Sequence, residues 1–441
     1  MEFSRLSGLM RENGVVGAGG AGFPSYAKLN KEADTIILNC AECEPLLKLH
    51  RQVLENYSFE ILSAFSEVMK AVGAKNGIIA IKKSYFGAID SVNSNLDSFK
   101  NIKIGLLPEV YPSGDEILVI YDTTGRRVEA GSLPISVGCI VYNVETMLNT
   151  YYAIKGVPVT HKYITVAGEV ENPVTLKVPI GITLKEVVKH AGKITCKDYQ
   201  YFVGGPMTGR LGNEYETVTK TTNAILILPK NHSIIQKKMA DPSIDLKRAM
   251  AACCQCQMCT DLCSRNLVGH PIEPHMFMRY TTNGVTKDVK PYLDTFYCSN
   301  CGICELYACF QNLSPRSLIQ AYKEELQKKG IKPETPVTTA VKKERKYRQI
   351  PMKRLVQHLG LTKYNVSSPL DEKEIGAKRL KIALSQSIGA PSTPIVKIGD
   401  KVQRGQKIAD FDEKKLGVAL HSPAEGIIED INDKYIVIKT D

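Results

Sequence analysis

Two runs of cysteine hold most of the chemistry this 441-residue chain could perform. The first reads Cys253-Cys254-Gln-Cys256-Gln-Met-Cys259-Thr-Asp-Leu-Cys263 and, with Cys254 skipped, spaces its thiols as C-x2-C-x2-C-x3-C. The second reads Cys298-Ser-Asn-Cys301-Gly-Ile-Cys304-Glu-Leu-Tyr-Ala-Cys309, or C-x2-C-x2-C-x4-C. Three thiolates two residues apart can wrap one cube of iron and sulfide, while a trailing cysteine reaches across to a second cube. One such run alone would also suit zinc, which accepts four thiolates in tetrahedral geometry. The repetition decides for two 4Fe-4S clusters. Crossed ligation groups Cys253, Cys256 and Cys259 with Cys309, and Cys298, Cys301 and Cys304 with Cys263. Cys254 competes with Cys253 as a ligand, and Ser264 and Phe310 stand where ferredoxins usually place proline. With no acid-base pair beside them, the runs imply one-electron relay rather than bond-making chemistry.

A relay needs a source of electrons. Near the start stands Gly14-Val-Val-Gly17-Ala-Gly19-Gly20-Ala-Gly22-Phe23-Pro24, which satisfies G-x-G-x-x-G at Gly17, Gly19 and Gly22, with Glu42 twenty residues beyond the last glycine. The loop follows an amphipathic helical pattern rather than a strand, so the context of a dinucleotide-binding βαβ unit is missing. Backbone amides of such a loop can still cradle a phosphate, which makes a flavin phosphate a natural occupant. Cys40 and Cys43 form a C-x2-C without thioredoxin-like flanks, and Cys139 and Cys196 read as buried apolar residues.

The elements that must position these groups follow from pattern. Residues 1–155 alternate apolar runs, TIILN, GIIAIK and EILVIYD, with a helical pattern over about 52–72, and read as an α/β domain with buried strands. Residues 160–235 open with short strands around Asn172-Pro173 followed by one helix, a small β-grasp-like module. Residues 244–325 are helical in pattern and carry both cysteine runs. Residues 326–378 form a basic linker; over 321–360 there are eleven Lys or Arg against four Glu, and the composition reads as a solvated run. Residues 379–441 return to short strands in two halves, a barrel-sandwich of lipoyl type, with Lys414 and Lys415 near a hairpin tip but outside the usual modification context.

No run reaches the roughly 18 apolar residues of a membrane span, and the N-terminal MEFSRLSGLMREN lacks a signal-peptide layout, so a cytoplasmic location is expected. Nine of the thirteen cysteines fall in the two runs, a layout of metal ligation rather than disulfides.

The strings GVVGAGGAGFPSYAKL, Asn39-Cys40-Ala41-Glu42-Cys43-Glu44-Pro45, Tyr111-Pro-Ser-Gly114-Asp115-Glu116 and Tyr142-Asn143-Val-Glu145-Thr146 resemble the NADH-binding flavoprotein subunit of respiratory complex I. They are closer to the RnfC component of Rnf electron-transport complexes and to the cobalamin reductases of propanediol-utilisation microcompartments, and the likeness covers nearly the whole chain. The sandwich placed after the cysteine runs, together with KRLVQHLGLTKY, is similar to the cobalamin reductases, whereas RnfC proteins normally carry it first.

The resemblance implies a multidomain α/β and α+β fold: an N-terminal flavin-binding α/β domain, a β-grasp module of SLBB type, a helical dicluster ferredoxin domain and a C-terminal barrel-sandwich hybrid. It implies FMN and NADH beside the clusters, with Gly17, Gly19 and Gly20 facing the FMN phosphate or NADH and Lys28 adding charge. Asn39, Glu42, Tyr111, Gly114, Asp115, Glu116 and Asn143 would edge the flavin, and Glu44 and Phe23 would stand nearest nicotinamide. Ala18 and Ala41 replace an Arg and an Asp of the complex I pattern, and His50 takes a position usually acidic. The implied activity is electron transfer from NADH through FMN and two clusters to cobalamin. The implied partners are a cobalamin-handling adenosyltransferase, a microcompartment shell or another redox protein, without nucleic acid. Membership of a membrane ion-translocating complex, or service as a carrier for another reductase, is the alternative.

Overall fold

The computed structural model describes residues 1–333 and 338–440. Its first sheet is parallel, in the order β3 (Ile102–Leu107), β2 (Asn76–Lys82), β1 (Thr35–Cys40) and β5 (Cys139–Asn143). β1 and β2 are apolar through both faces because helices cover both, as parallel sheets require. The helical pattern around 52–72 becomes two helices, Leu49–Asn56 and Ser58–Val72. EILVIYD, expected among the buried strands, is instead the helix Glu116–Thr124. Its β-branched residues suit a strand, but Asp115 caps the N-terminus by accepting from the amides of Ile117 and Leu118, and Gly125 closes the other end in a left-handed conformation.

The second sheet is mixed, in the order β12 (Leu370–Asp371), β7 (Val174–Pro179), β6 (His161–Gly168), β10 (Ala224–Pro229), β8 (Tyr199–Val203) and β9 (Arg210–Gly212). β6 and β7 pair antiparallel across the Asn172-Pro173 turn, and the helix Leu184–Lys189 starts from a capping box of Thr183 and Glu186. The cysteine segment is helical, with Pro242–Ala252, Pro274–Thr282 and Pro315–Lys328 packed around Phe277, Met278, Leu318 and Ile319.

The stretch expected as a solvated linker behaves as a strap over its described part. Residues 334–337 lie outside the described residues. β11 (Ile350–Pro351) pairs with β4 (Val110–Tyr111) of the first module, and β12 pairs with β7 of the second. Ile350 is buried, Arg345 pairs with Asp122 and Arg348 with Asp261. The basic excess is thus partly spent on acidic partners within the chain, and apolar residues interleaved with it anchor the strap.

The last residues form two small antiparallel sheets, β13 (Arg379–Ala383), β19 (Tyr435–Lys439), β18 (Gly426–Ile431) and β15 (Lys401–Val402) in one, and β14 (Thr393–Pro394), β16 (Lys407–Asp410) and β17 (Leu420–His421) in the other. The loop carrying Lys414 and Lys415 is docked rather than free. Arg11 donates to the carbonyls of Asp412, Glu413 and Lys415, and its guanidinium lies 3.9 Å from the Phe411 ring centroid. A single apolar core runs continuously from Leu6 of the first module through the β-grasp to Ile438 of the sandwich, so the modules are packed on one another.

Candidate functional site

The glycine loop leaves the helix Phe3–Glu12 and closes on itself, with the Gly17 amide donating to the Phe23 carbonyl and Val16 bridging Pro24. It lies over the C-terminal ends of β1 and β5, the usual ligand side of a parallel sheet. The space between is a cavity of about 560 Å³. Its walls include Gly17, Gly19, Gly20, Phe23, Lys28, Asn39, Glu116 and Asn143, eight of the residues anticipated from sequence. Leu133, Pro134 and Ile135 add an apolar wall that carried no sequence signal.

The cradle is made for backbone. A Cβ on Gly19 would stand 2.5 Å from Asn143 Nδ2, whereas Gly20 faces open space. Thr146 accepts from the Ala18 amide and pins the loop to the helix Val144–Ile154, which Asn143 caps by accepting from the Glu145 amide. Lys28 does not present a lone charge: its Nζ donates to Glu116 at 2.8 Å and to the Val141 carbonyl. Buried His50, pushed down to about 3 by burial and by Lys162, keeps a neutral ring against Asn143. The volume and the mixed apolar and amide lining suit a flavin mononucleotide, with its phosphate on the loop.

The other anticipated residues lie elsewhere. Glu42 is buried behind the sheet end, accepting from the His50 amide, and burial holds its carboxyl above the usual range. Glu44 faces the β-grasp module, where it accepts from the amides of Met207 and Thr208 and from the Thr208 hydroxyl. Gly114 passes so close to the Ala41 carbonyl that a Cβ would meet it at 2.4 Å, and its own carbonyl accepts from Asn39. Tyr111 donates its hydroxyl to the Cys301 carbonyl at 2.6 Å, and Asp115 pairs with Arg265 at 2.9 Å. Gly114, Tyr111 and Asp115 form the joint between the cavity and the cysteine runs. The sequence strings grouped them with the flavin because one short segment, 111–116, serves both.

The two runs fold alike. Gln255 and Gln257 flank Cys256 with φ of 58° and 65°, and Asn300 and Gly302 flank Cys301 with φ of 59° and 82°. Such left-handed turns aim successive amides at one point, the geometry that receives anionic sulfur. The Asn300 amide donates to Cys298 Sγ at 3.3 Å, and the Gln255 amide likewise serves Cys253. The correspondence puts Cys253, rather than exposed Cys254, in the position of Cys298. A cavity lined by Cys253, Cys254, Cys256, Cys259 and Cys309 separates the first set of thiols. Across from it, Cys263 has its thiol raised by burial and by neighbouring Cys301 and Cys298, and the amides of Arg265 and Asn266 serve its sulfur. Those amides belong to the helical turn Ser264–Leu267. The donor set, all thiols in two matching backbone cradles, fits two cubic iron-sulfur clusters. Cys40 and Cys43 are no match for a redox pair: burial pushes both thiols up, Cys43 to about 12.

Comparison with known proteins agrees with this division. Residues 10–152 match the Nuo51 FMN-binding domain, 163–211 the SLBB domain, 252–314 the 4Fe-4S dicluster domain and 358–441 the RnfC barrel sandwich hybrid domain. The chain is 40% identical over 431 residues to the cobalamin reductase PduS of Citrobacter freundii, covering 97% of this chain and 95% of that protein. It belongs to the PduS cobalamin reductase family. The PduS protein of Salmonella typhimurium is 39% identical over the same extent. The C component of the Na(+)-translocating ferredoxin:NAD(+) oxidoreductase complex of Acetobacterium woodii is 30% identical over 276 residues, covering 60% of this chain and 59% of that protein. As a member of the PduS family the chain is a flavo-iron-sulfur oxidoreductase that uses FMN and 4Fe-4S clusters. Among the described residues no helix is long and apolar enough to cross a membrane.

Proposed function

We propose that this protein takes electrons from NADH at the glycine-loop cavity and delivers them singly, through the two cysteine cradles, to the cobalt of oxidised cobalamin. The observation that carries the reading is the continuity of the two sites in one chain: Asn39, which lines the cavity, holds the Gly114 carbonyl, and Tyr111 of the same segment holds Cys301. Flavin bound here supplies the conversion of a two-electron hydride into single electrons. The chain's own residues do the rest. The glycine loop and Thr146 fix the phosphate cradle, Lys28 and Glu116 hold each other at the rim, and Leu133–Ile135 offer an apolar surface on one side.

Cys253, Cys256, Cys259 and Cys309 hold one cluster in this reading, and Cys263, Cys298, Cys301 and Cys304 the other. Cobalamin as acceptor rests on the near full-length likeness to PduS proteins. The family resemblance of the sequence strings further implies work in the cytoplasm within a bacterial microcompartment, beside an adenosyltransferase that takes up the reduced cobalamin. The test is direct: purified protein under anaerobic conditions, given NADH and cob(III)alamin, should produce the cob(II)alamin absorbance with no other protein added. Flavin bleaching without any change in the corrin spectrum contradicts cobalamin as acceptor and leaves an electron carrier for another reductase.

A further inference from the structure

The two cradles sit in unlike surroundings. Around Cys263, Cys298, Cys301 and Cys304 the first and second modules close in. Tyr111, buried, donates to the Cys301 carbonyl, and Arg265, two residues after Cys263, pairs with Asp115. Gly302 lies under the β-grasp loop, where a Cβ would stand 3.1 Å from the Met207 carbonyl, and that loop is tied to the first module through Glu44. Cys304 itself is buried. Around the other cradle the chain is open: Cys254, Gln255, Cys256 and Gln257 are all exposed, and Phe310, next to Cys309, is 65% exposed.

We propose that these surroundings set the direction of flow: the Cys263/Cys298/Cys301/Cys304 cradle is the inlet, the Cys253/Cys256/Cys259/Cys309 cradle the outlet, and Tyr111 is the positioning residue that ties the inlet to the flavin cavity. The inference rests on the reading given under the proposed function. In that reading NADH would lose one hydride at the cavity and become NAD+, the proton of the hydride passing to solvent, and its two electrons would leave one at a time through the inlet and then the outlet, each reducing an external acceptor by one electron. The connection on the inlet side is continuous in bonds and hydrogen bonds, from Asn39 at the cavity to the Gly114 carbonyl, along the backbone to Tyr111, and from its hydroxyl to the peptide carbonyl of Cys301. The hydroxyl proton is donated to the peptide carbonyl of Cys301, which draws electron density from that peptide of the inlet and favours the added electron there.

Three variants of the full chain, reconstituted anaerobically with iron and FMN, test the order. In Cys256→Ser the iron content should fall by about half. Its remaining paramagnetic signal should still appear on adding NADH. In Cys301→Ser the iron should fall similarly, the flavin should still bleach with NADH, and the remaining signal should appear only with a small chemical reductant. In Tyr111→Phe, which keeps the ring and loses the hydroxyl, iron and flavin contents should stay unchanged. The midpoint potential of the signal lost in Cys301→Ser should move downward, and that of the other should not move. The order is overturned if Cys256→Ser, rather than Cys301→Ser, blocks reduction by NADH. The role of Tyr111 is overturned if its removal shifts the signal lost in Cys256→Ser, or shifts neither. If NADH reduces no cluster in the unaltered protein, it is the proposed function that fails. The chemical titration of Tyr111→Phe still decides which cradle the tyrosine serves.

Discussion

Lys162 and Glu145 form an ion pair sealed between the first module and the β-grasp, with 2% and 1% of their side chains exposed. Glu145 lies in the first turn of the helix that Asn143 caps, and its second oxygen accepts from the Tyr163 amide. The pair therefore fixes the start of the helix that pins the glycine loop through Thr146. Removing one partner strands a buried charge, a change that typically costs about 3–5 kcal/mol. Lys162→Met should lower stability on that scale in urea denaturation of the purified protein. Lys162→Met combined with Glu145→Gln should recover part of the loss, because the second change removes the stranded charge.

The glycine loop offers an internal control. Gly19→Ala drives a methyl group into the Asn143 amide, while Gly20→Ala meets nothing within 4 Å. Flavin content of the purified variants should separate them: Gly20→Ala should retain FMN at the unaltered stoichiometry, and Gly19→Ala should lose most of it. Equal retention would place the flavin away from this loop.

Lys220 makes the stability of the assembly depend on pH. Its ammonium is buried where three modules meet, donating to the Gly14 carbonyl at 2.8 Å and to the Ala419 carbonyl at 3.3 Å. Burial pushes it down to about 7. His421 beside it is held neutral by burial and by Lys220. Between about 7 and the unfolded value near 10.4 the unfolded chain binds the extra proton, so this group makes stability rise with pH across that window. Below about 7 both states are protonated and its contribution is flat and unfavourable. Lys220→Met should flatten the rise without abolishing it, because burial also pushes Lys48 and Lys238 down to about 8, and urea midpoints measured from about pH 6 to 10 will show the difference.

Glu44 distinguishes a ligand-binding role from a structural one. Its carboxylate is filled by two amides and a hydroxyl of the β-grasp loop. Glu44→Ala should destabilise the contact between the first module and the β-grasp by about 1 kcal/mol, by leaving the part-buried Met207 amide and the exposed Thr208 donors without their acceptor. The KM for NADH should change little. A large rise in that KM with unaltered stability would return Glu44 to the nicotinamide.

Much of this was legible in sequence, for identifiable reasons. The cysteine spacing repeats in the backbone, because a left-handed residue stands on each side of both Cys256 and Cys301 and gives the two runs matching turns. Strands β1 and β2 were readable because a parallel sheet covered on both sides makes them apolar throughout. The helix Glu116–Thr124 was not, since a run as apolar as EILVIYD looks the same in either state and only the Asp115 cap and Gly125 decide it. The strap was missed for a different reason: its anchors, Ile350 against β4 and Arg345 against Asp122, are contacts between residues more than 200 positions apart. Charge density alone cannot reveal them. Residues 111–116 read as flavin contacts because a family-like string says that a segment matters without saying which of its neighbours it serves.

The central claim is that one chain holds a flavin and two clusters in electronic contact. Anaerobic titration of the fully reconstituted protein with NADH, followed by flavin absorbance and by paramagnetic resonance, tests it most directly. The predicted result is an end point near two equivalents of NADH per chain, with about two electrons in the flavin and one in each of two distinguishable cluster signals. An end point near one equivalent with no cluster signal would contradict the account.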